Sequence, residues 1–311
     1  MILNLILSVM LSLSPILQPA SLTFFSDGKE TASVTREEMA LLPFPGSAFP
    51  SPEFIDKFIR DLKTKVDTPP RDAGISMDGT LLPEQTGREL DRSKMEYILY
   101  SFFYKGKPLI ADIPYRPVYP RVDSELLDSI RAMLIGRYTT FFNPGNRERS
   151  HNIHLAAETL NGKIVFPGET FSFNKEIGKR TAAKGYLKAP IIVRGELSEG
   201  IGGGICQVSS TLFNAADHAG MSIVQRYSHT KTVTYVPSGR DATVSWYGPD
   251  FKFRNPYSQP VLIRAKSLGS TLSVSLYSAA SIDFRPRSIP GAPALLPEEM
   301  PFKMLEKQPG S

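Results

Sequence analysis

The chain contains one cysteine, Cys206, and the residues before it are Gly202-Gly203-Gly204-Ile205. Val208, Leu212, Ala215 or Ala216, and Ala219 follow at the spacing of one helical face, with Gly220 where a C-terminal cap belongs. The thiol is therefore predicted in the first turn of a helix. The positive end of a helix dipole favours thiolate over thiol, and backbone without Cβ atoms at Gly203 and Gly204 lets a substrate carbonyl approach N–H donors closely. The Gln207 side chain is a further candidate for that oxyanion role. A cysteine nucleophile also needs a base and a group that orients it. His229, in Tyr227-Ser228-His229-Thr230, and Asp241, in Gly239-Arg240-Asp241-Ala242-Thr243-Val244, each stand beside a segment with strand character. The intervals leave room for the helix to finish, for one strand to carry His229 and for a hairpin to return Asp241 alongside it. In that arrangement Cys206 attacks a carbonyl, His229 acts as general base and then acid, and Asp241 holds the imidazole. Cys, His and Asp on helix, strand and strand is also the order in transglutaminase-like and papain-type folds, an analogy in order and element type.

Each of these residues has a plainer reading. A free cysteine at a helix start is often a small buried hydrophobe, a histidine beside a strand can be a structural hydrogen-bonding group, and an aspartate can open a turn. The glycine run is not a phosphate cradle of a known type, because no Gly-Lys-Ser, Gly-Lys-Thr or G-x-G-x-x-G pattern accompanies it. His151 and His154 could share a helical face, but no H-E-x-x-H or cysteine partner stands with them, so no metal and no cofactor is expected. Trp246, Tyr247, Phe251, Phe253 and Tyr257 lie among Lys252 and Arg254, a cluster that reads as core and hairpin surface.

The elements that must position this chemistry belong to a globular chain: 311 residues, 41% apolar and 22% charged, suggest about two domains. The 23 glycines and 26 prolines show no triplet period and no longer repeat, which argues against collagen-like and solenoid architectures. The formal charge of +5 suits an anionic partner, although 36 basic residues are balanced by 31 acidic ones and no long run of like charge occurs. Residues 1–20 carry no charged side chain and are mostly apolar, the mark of a signal peptide or, given the missing basic start, an uncleaved N-terminal membrane anchor. The rest is then expected outside the cytoplasm, where a protein with a single cysteine folds without an internal disulfide. Export and the lack of a basic cluster argue against a nucleic-acid partner.

Residues 21–69 read as a linker with one short helix, opened by Pro52 and striped by Phe54, Ile55, Phe58, Ile59 and Leu62. Residues 70–123 read as a small α+β module with a hairpin at Asp78-Gly79 and a helix opened by Asp91, and residues 124–137 as a connecting region built on a helix over 124–135. The segment 138–280 orders a helix over 152–160, short strands, the Cys206 helix, and strand candidates at 222–226, 232–236, 242–246, 261–265 and 271–277. This order predicts an α+β fold with a largely antiparallel sheet. The proline-rich tail 281–311 reads as an extended or disordered segment.

Several stretches make the chain recognisable: Arg149-Ser150-His151-Asn152, Phe166-Pro167-Gly168-Glu169-Thr170-Phe171-Ser172-Phe173-Asn174, Gly185-Tyr186 with Ala189-Pro190, the Gly202-to-Leu212 run, 235–244, and Arg254-Asn255-Pro256. On these residues the segment from about 147 to 277 resembles the VanW family, accessory proteins named for their place in vancomycin-resistance gene clusters. The upstream module, at Asp78-Gly79, Gly87, Leu90-Asp91 and around Pro120, resembles the peptidoglycan-binding type of domain that often precedes VanW. The resemblance implies an exported envelope protein of the Gram-positive type with peptidoglycan or another anionic wall polymer as partner, and it adds Arg254 and Asn255 to the substrate-binding or oxyanion candidates. It brings no settled reaction. The expected function is a cysteine-dependent amide hydrolase or transpeptidase on wall peptides; the alternative is a non-catalytic wall-binding or scaffold protein accessory to envelope biogenesis or glycopeptide resistance.

Overall fold

The computed structural model describes residues 20–42, 49–193 and 196–294. Residues 1–19, read above as export signal or anchor, lie outside the described residues, and among those described no helix is long and apolar enough to cross a membrane. The chain divides into two compact units, one formed by Met1–Arg71 with Gln85–Pro120 and the other by Asp72–Glu84 with Arg121–Ser311. The fold is α+β, with mostly antiparallel sheets.

In the first unit, Leu22 and Phe24 alternate with polar neighbours and point inward from the strand Ser21–Ser26. Asp27 and Gly28 both take positive φ, +51° and +75°, the combination a two-residue hairpin turn requires, and the chain returns antiparallel as Lys29–Thr35. Leu109–Asp112 completes this sheet by pairing parallel to Ser21–Ser26. The helix Pro52–Val66 starts at Ser51, whose hydroxyl accepts the Phe54 N–H, and buries Ile55, Ile59, Leu62 and Val66 along one face. A second helix, Arg92–Lys105, is capped by Asp91 and stopped by Gly106 at φ +61°, and its Met95, Leu99, Phe102 and Phe103 share the same core. The expectation of a linker over 21–69 is corrected here: the hairpin and the first helix supply much of this core, because their apolar positions match the strand and helix periods that bury them.

The second unit is built on a four-stranded antiparallel sheet in the order Met133–Phe141, Thr271–Ser278, Val261–Leu268, Ile164–Val165. Two helices, Arg147–Leu160 and Ile205–His218, pack on one face of it through Ile153, Ala156, Leu160, Val208, Leu212 and Ala215. Gly136 makes the closest approach, since a Cβ there would stand 2.6 Å from the Ala215 carbonyl oxygen and 2.7 Å from the Ala219 Cβ. A smaller sheet joins Thr170–Ser172, Lys252–Arg254 and Ser222–Gln225, and its Phe171 and Phe253 rings stack with centroids 5.1 Å apart. Lys188–Val193 and Glu196–Ile201 form a separate hairpin that leads into the glycine run.

Three differences from the sequence reading concern this unit. The hairpin Gly74–Ile75 with Leu81–Leu82 belongs to it, so the expected 70–123 module is divided between the two units. The helix expected over 124–135 stops at Ser129, and the chain enters the long strand at Met133, where Ile135 and Tyr138 turn into the core. The tail is extended as far as it is described, yet it is ordered against the core: Ile282, Phe284, Ile289 and Ala292 pack on it, Arg287 pairs with Asp217 at 2.8 Å, and the Tyr138 hydroxyl donates to the Pro290 carbonyl at 3.1 Å. Enough apolar side chains lie between the prolines to bury a face of the segment.

Candidate functional site

Cys206 sits in the first turn of the Ile205–His218 helix, half-buried, with Gly204 as N-cap residue at φ +102° and no side chain capping the helix. The Ile205 and Gln207 N–H groups donate three residues back, to the Gly202 carbonyl at 3.2 Å and the Gly204 carbonyl at 3.0 Å, and the thiol between them lies at the electropositive end of the helix. The glycine run is packed as tightly as its composition suggests. A Cβ on Gly203 would stand 2.6 Å from the Pro190 carbonyl oxygen, and one on Gly204 would stand 2.9 Å from Ile153. Asn152, fully buried on the neighbouring helix, fixes the turn by donating to the carbonyls of Gly203 and Leu187, each at 3.0 Å, and accepting the Leu187 N–H at 2.8 Å.

The segment carrying His229 and Asp241 is irregular: the strands expected at 232–236 and 242–246 do not form, and the nearest strand, Ser222–Gln225, ends before the histidine. The backbone of this segment is held by the helix instead of by a ladder. Ser210 accepts the Ala242 N–H at 2.8 Å and donates to the Cys206 carbonyl at 2.7 Å, Ser209 donates to the Ala242 carbonyl, and Asn214 exchanges hydrogen bonds with Arg240, to its carbonyl at 2.8 Å and from its Nε at 2.7 Å. Residues from Ile205 to Ala216 are almost all buried, so polar side chains at 209, 210 and 214 need partners, and the loop supplies them. The result is a polar seam that lays Asp241 and Val244 alongside the first turn of the helix.

The three predicted catalytic side chains meet there. The Cys206 Sγ lies 3.6 Å from the Val244 carbonyl oxygen and 3.8 Å from the Thr243 Oγ1, and the His229 imidazole acts on its charge. His229 Nδ1 is 2.6 Å from Asp241 Oδ2, which leaves Nε2 as the nitrogen for the thiol. Both partners of that ion pair are nearly closed to water, with side-chain exposures of 6% and 8%. Burial pushes the Cys206 thiol up, but the hydrogen bond and charge of His229, helped by Val244 and Thr243, outweigh it and hold the thiol below its ordinary range. Burial likewise pushes His229 down, and its bonds to Cys206 and Asp241 outweigh that and raise it. Asp241, also opposed by burial, is held low by the backbone N–H and the ring of His229. The directions agree with a thiolate–imidazolium pair oriented by a carboxylate.

The remaining sequence candidates fall in different places. Gly203 and Gly204 form the tight approach to the helix end. Gln207 is fully buried and turned into the core: its amide nitrogen donates to the Thr140 hydroxyl at 3.0 Å and the Phe141 carbonyl at 2.9 Å, and its oxygen accepts from Arg149 at 2.6 Å. Its side chain is thus engaged away from the oxyanion role expected of it. Asn255 is buried and fully engaged, donating to the Val165 carbonyl on the main sheet and the Gln259 carbonyl in its own turn and accepting the Tyr257 N–H, while Arg254 is exposed on the small sheet. His151 bonds the Gly185 carbonyl at 2.9 Å and His154 faces Glu158 at 3.3 Å, so they are engaged separately. Among the described residues no cluster of three or more potential metal ligands occurs.

Two site residues escaped the sequence reading. The Arg180 guanidinium donates to Asn174 at 2.8 Å and to the Gly178 carbonyl at 3.2 Å; burial lowers it below its ordinary range, and the Cys206 charge is the largest influence opposing that. Tyr235 lies within reach of Ser210 and of the Cys206 charge, and burial with that charge pushes its phenol far up, so it remains a donor. The Gly-Lys-Arg at 178–180 and the Thr-Tyr-Val at 234–236 are unremarkable as local text, and only the fold brings them to the thiol.

A cysteine at a helix start with a carboxylate-held histidine defines a thiol site within an α+β domain, and its residues fall in the segment 148–277 that matches the family model described as VanW like protein. The chain is 50% identical to the protein YoaR of Bacillus subtilis (strain 168) over 280 residues, 90% of this chain and 92% of that protein. It is also 38% identical over 109 residues to the vancomycin B-type resistance protein VanW of Enterococcus faecalis (strain ATCC 700802 / V583), covering 33% of this chain and 40% of that one. The chain belongs to the VanW family. No solved structure matches it at a significant level.

Proposed function

We propose that this VanW-family protein works outside the cytoplasm at the cell envelope as a cysteine-dependent acyl-transfer enzyme on amide bonds of wall peptides. The observation that carries the reading is the convergence of a half-buried thiol, a buried imidazole and a buried carboxylate at a helix end lined with glycine. The apolar residues 1–20 and the vancomycin resistance for which the enterococcal relative is named support the envelope setting. In the reaction, the Cys206 thiolate attacks the amide carbon, and the charge on the oxygen is met by the Cys206 N–H and the Tyr235 hydroxyl. When the C–N bond breaks, His229 gives its proton to the leaving amine and Sγ stays bound to carbon as a thioester. His229, again neutral, takes a proton from water or from an acceptor amine, whose attack releases the acyl group and restores the thiolate and the imidazolium. Water gives a hydrolase and an amine gives a transpeptidase.

The test is incubation of the full chain with purified wall muropeptides, read by mass spectrometry of both peptides and protein. The reading expects cleaved or exchanged peptides, an acyl adduct on Cys206, and loss of both in Cys206→Ala. Unchanged peptides and an unmodified thiol would leave the non-catalytic wall-binding reading in its place.

A further inference from the structure

The other face of the four-stranded sheet holds a feature that the chemistry at Cys206 does not use. Along Val261–Leu268 and Thr271–Ser278 the apolar residues Ile263, Ala265, Val274 and Leu276 join the core under the two helices, so the alternate residues Arg264, Lys266, Ser273, Ser275 and Tyr277 face the opposite way. The register sets Ser275 opposite both Arg137 and Arg264, and Ser273 opposite both Thr139 and Lys266. Two rows of side chains therefore cross three strands, each with a cation at its Val261–Leu268 end and the first with a second cation at the other. Arg137, Arg264, Lys266, Ser273 and Ser275, with Arg131 and the hairpin residues near Met77, line a concavity of about 410 Å³, within the usual size of small-ligand sites, roughly 300–1,000 Å³.

Like charges gathered on one sheet face oppose one another. Arg131 pairs with Asp128 at 2.6 Å, and burial, helped by the charge of Arg131, opposes the charge on Arg264 against the weaker support of Tyr277 and of Asp78, itself bound by Ser76 and Thr80. Among the described residues no carboxylate ion pair holds Arg137, Arg264 or Lys266. Neutral groups fix the guanidiniums without cancelling their charge: Arg137 Nε donates to Ser275 at 3.1 Å, and Arg264 donates to Asn161 at 2.9 Å and to the Ser76 carbonyl at 3.1 Å. Such preset forks match the several oxygens of a phosphate better than the two of one carboxylate, which a single fork satisfies.

We propose that this cleft is a second binding site, for a phosphate-bearing ligand whose oxygens are taken by Arg137, Arg264 and Lys266. It stands independently of the acyl-transfer reading. The experiment is titration calorimetry on the full chain with inorganic pyrophosphate, with a short poly(glycerol phosphate), and with citrate as a carboxylate control. The proposal expects at least one phosphate probe to bind, an affinity that falls as salt rises, a loss of tenfold or more in the exposed double variant Arg137→Gln/Lys266→Gln, and no change in Cys206→Ser. Tighter binding of the polymer would identify a phosphodiester chain as the source, and tighter binding of pyrophosphate a free phosphate compound. No binding of either phosphate probe, binding unchanged in the double variant, or citrate bound equally well would overturn it.

Discussion

One carboxylate oxygen of Asp241, Oδ2, accepts both the backbone N–H and the ring Nδ1–H of His229, each at 2.6 Å. The paired hydrogen bonds fix position and tautomer together: the backbone bond places the residue, and the ring bond keeps the proton on Nδ1 and leaves Nε2 as the basic nitrogen. A loop can therefore present the histidine as firmly as a strand would, since a charge-assisted pair replaces the ladder.

Replacing Asp241 by Asn keeps an acceptor but removes the charge. The expected cost is about 1–3 kcal/mol of stability by urea denaturation, together with slower thiol alkylation at neutral pH, because the imidazolium loses its stabilising partner. The pH dependence has a definite sign. A carboxyl held below its ordinary 3.8 stabilises the native state above that value and loses the effect as pH falls through the depressed one. The wild-type protein should thus lose stability over acid pH more steeply than Asp241→Asn.

Ser210→Ala removes the hydroxyl that joins the Cys206 carbonyl to the Ala242 N–H. The orphaned buried N–H should cost about 1–3 kcal/mol. Hydrogen exchange at Ala242 should accelerate more than exchange in the distant strand Thr271–Ser278, marking local release of the loop.

Much of the fold was legible in the sequence because periodicity reports burial. The Cys206 helix, the 152–160 part of the helix before it and the strands Val261–Leu268 and Thr271–Ser278 announce themselves by apolar spacing, whereas the long strand Met133–Phe141 does not, its first residues continuing the apolar spacing of the helix before it. The loop from 226 to 251 was not legible as a loop. Its β-branched residues suggest strands, yet its hydrogen bonds go to Ser209, Ser210 and Asn214, a tertiary pairing that no local pattern encodes. The candidacy of Cys206, His229 and Asp241 for one site needs residue types and intervals alone. Arg180, Tyr235 and the inward turn of Gln207 depend on packing between distant segments, and Arg149 and Thr140 decide where the Gln207 amide points.

Gly136→Ala tests how the site helix is seated on its sheet. With no room beside the Ala215 carbonyl, the added methyl should force the helix away and cost about 1–3 kcal/mol. Gly79→Ala is the contrasting case. Its φ of +97° disfavours alanine, but nothing lies within 4 Å of the new Cβ, so the loss should be limited to backbone strain of about 1–2 kcal/mol and should leave thiol reactivity unchanged.

The central claim is that His229 holds Cys206 as a thiolate, and the pH dependence of Cys206 alkylation by iodoacetamide on the folded protein tests it most directly. The account predicts a midpoint well below the usual thiol value of about 8.5, returning to or above it in His229→Ala, where burial acts unopposed. A thiol that reacts only after unfolding, or whose midpoint is unmoved by loss of His229, would contradict it.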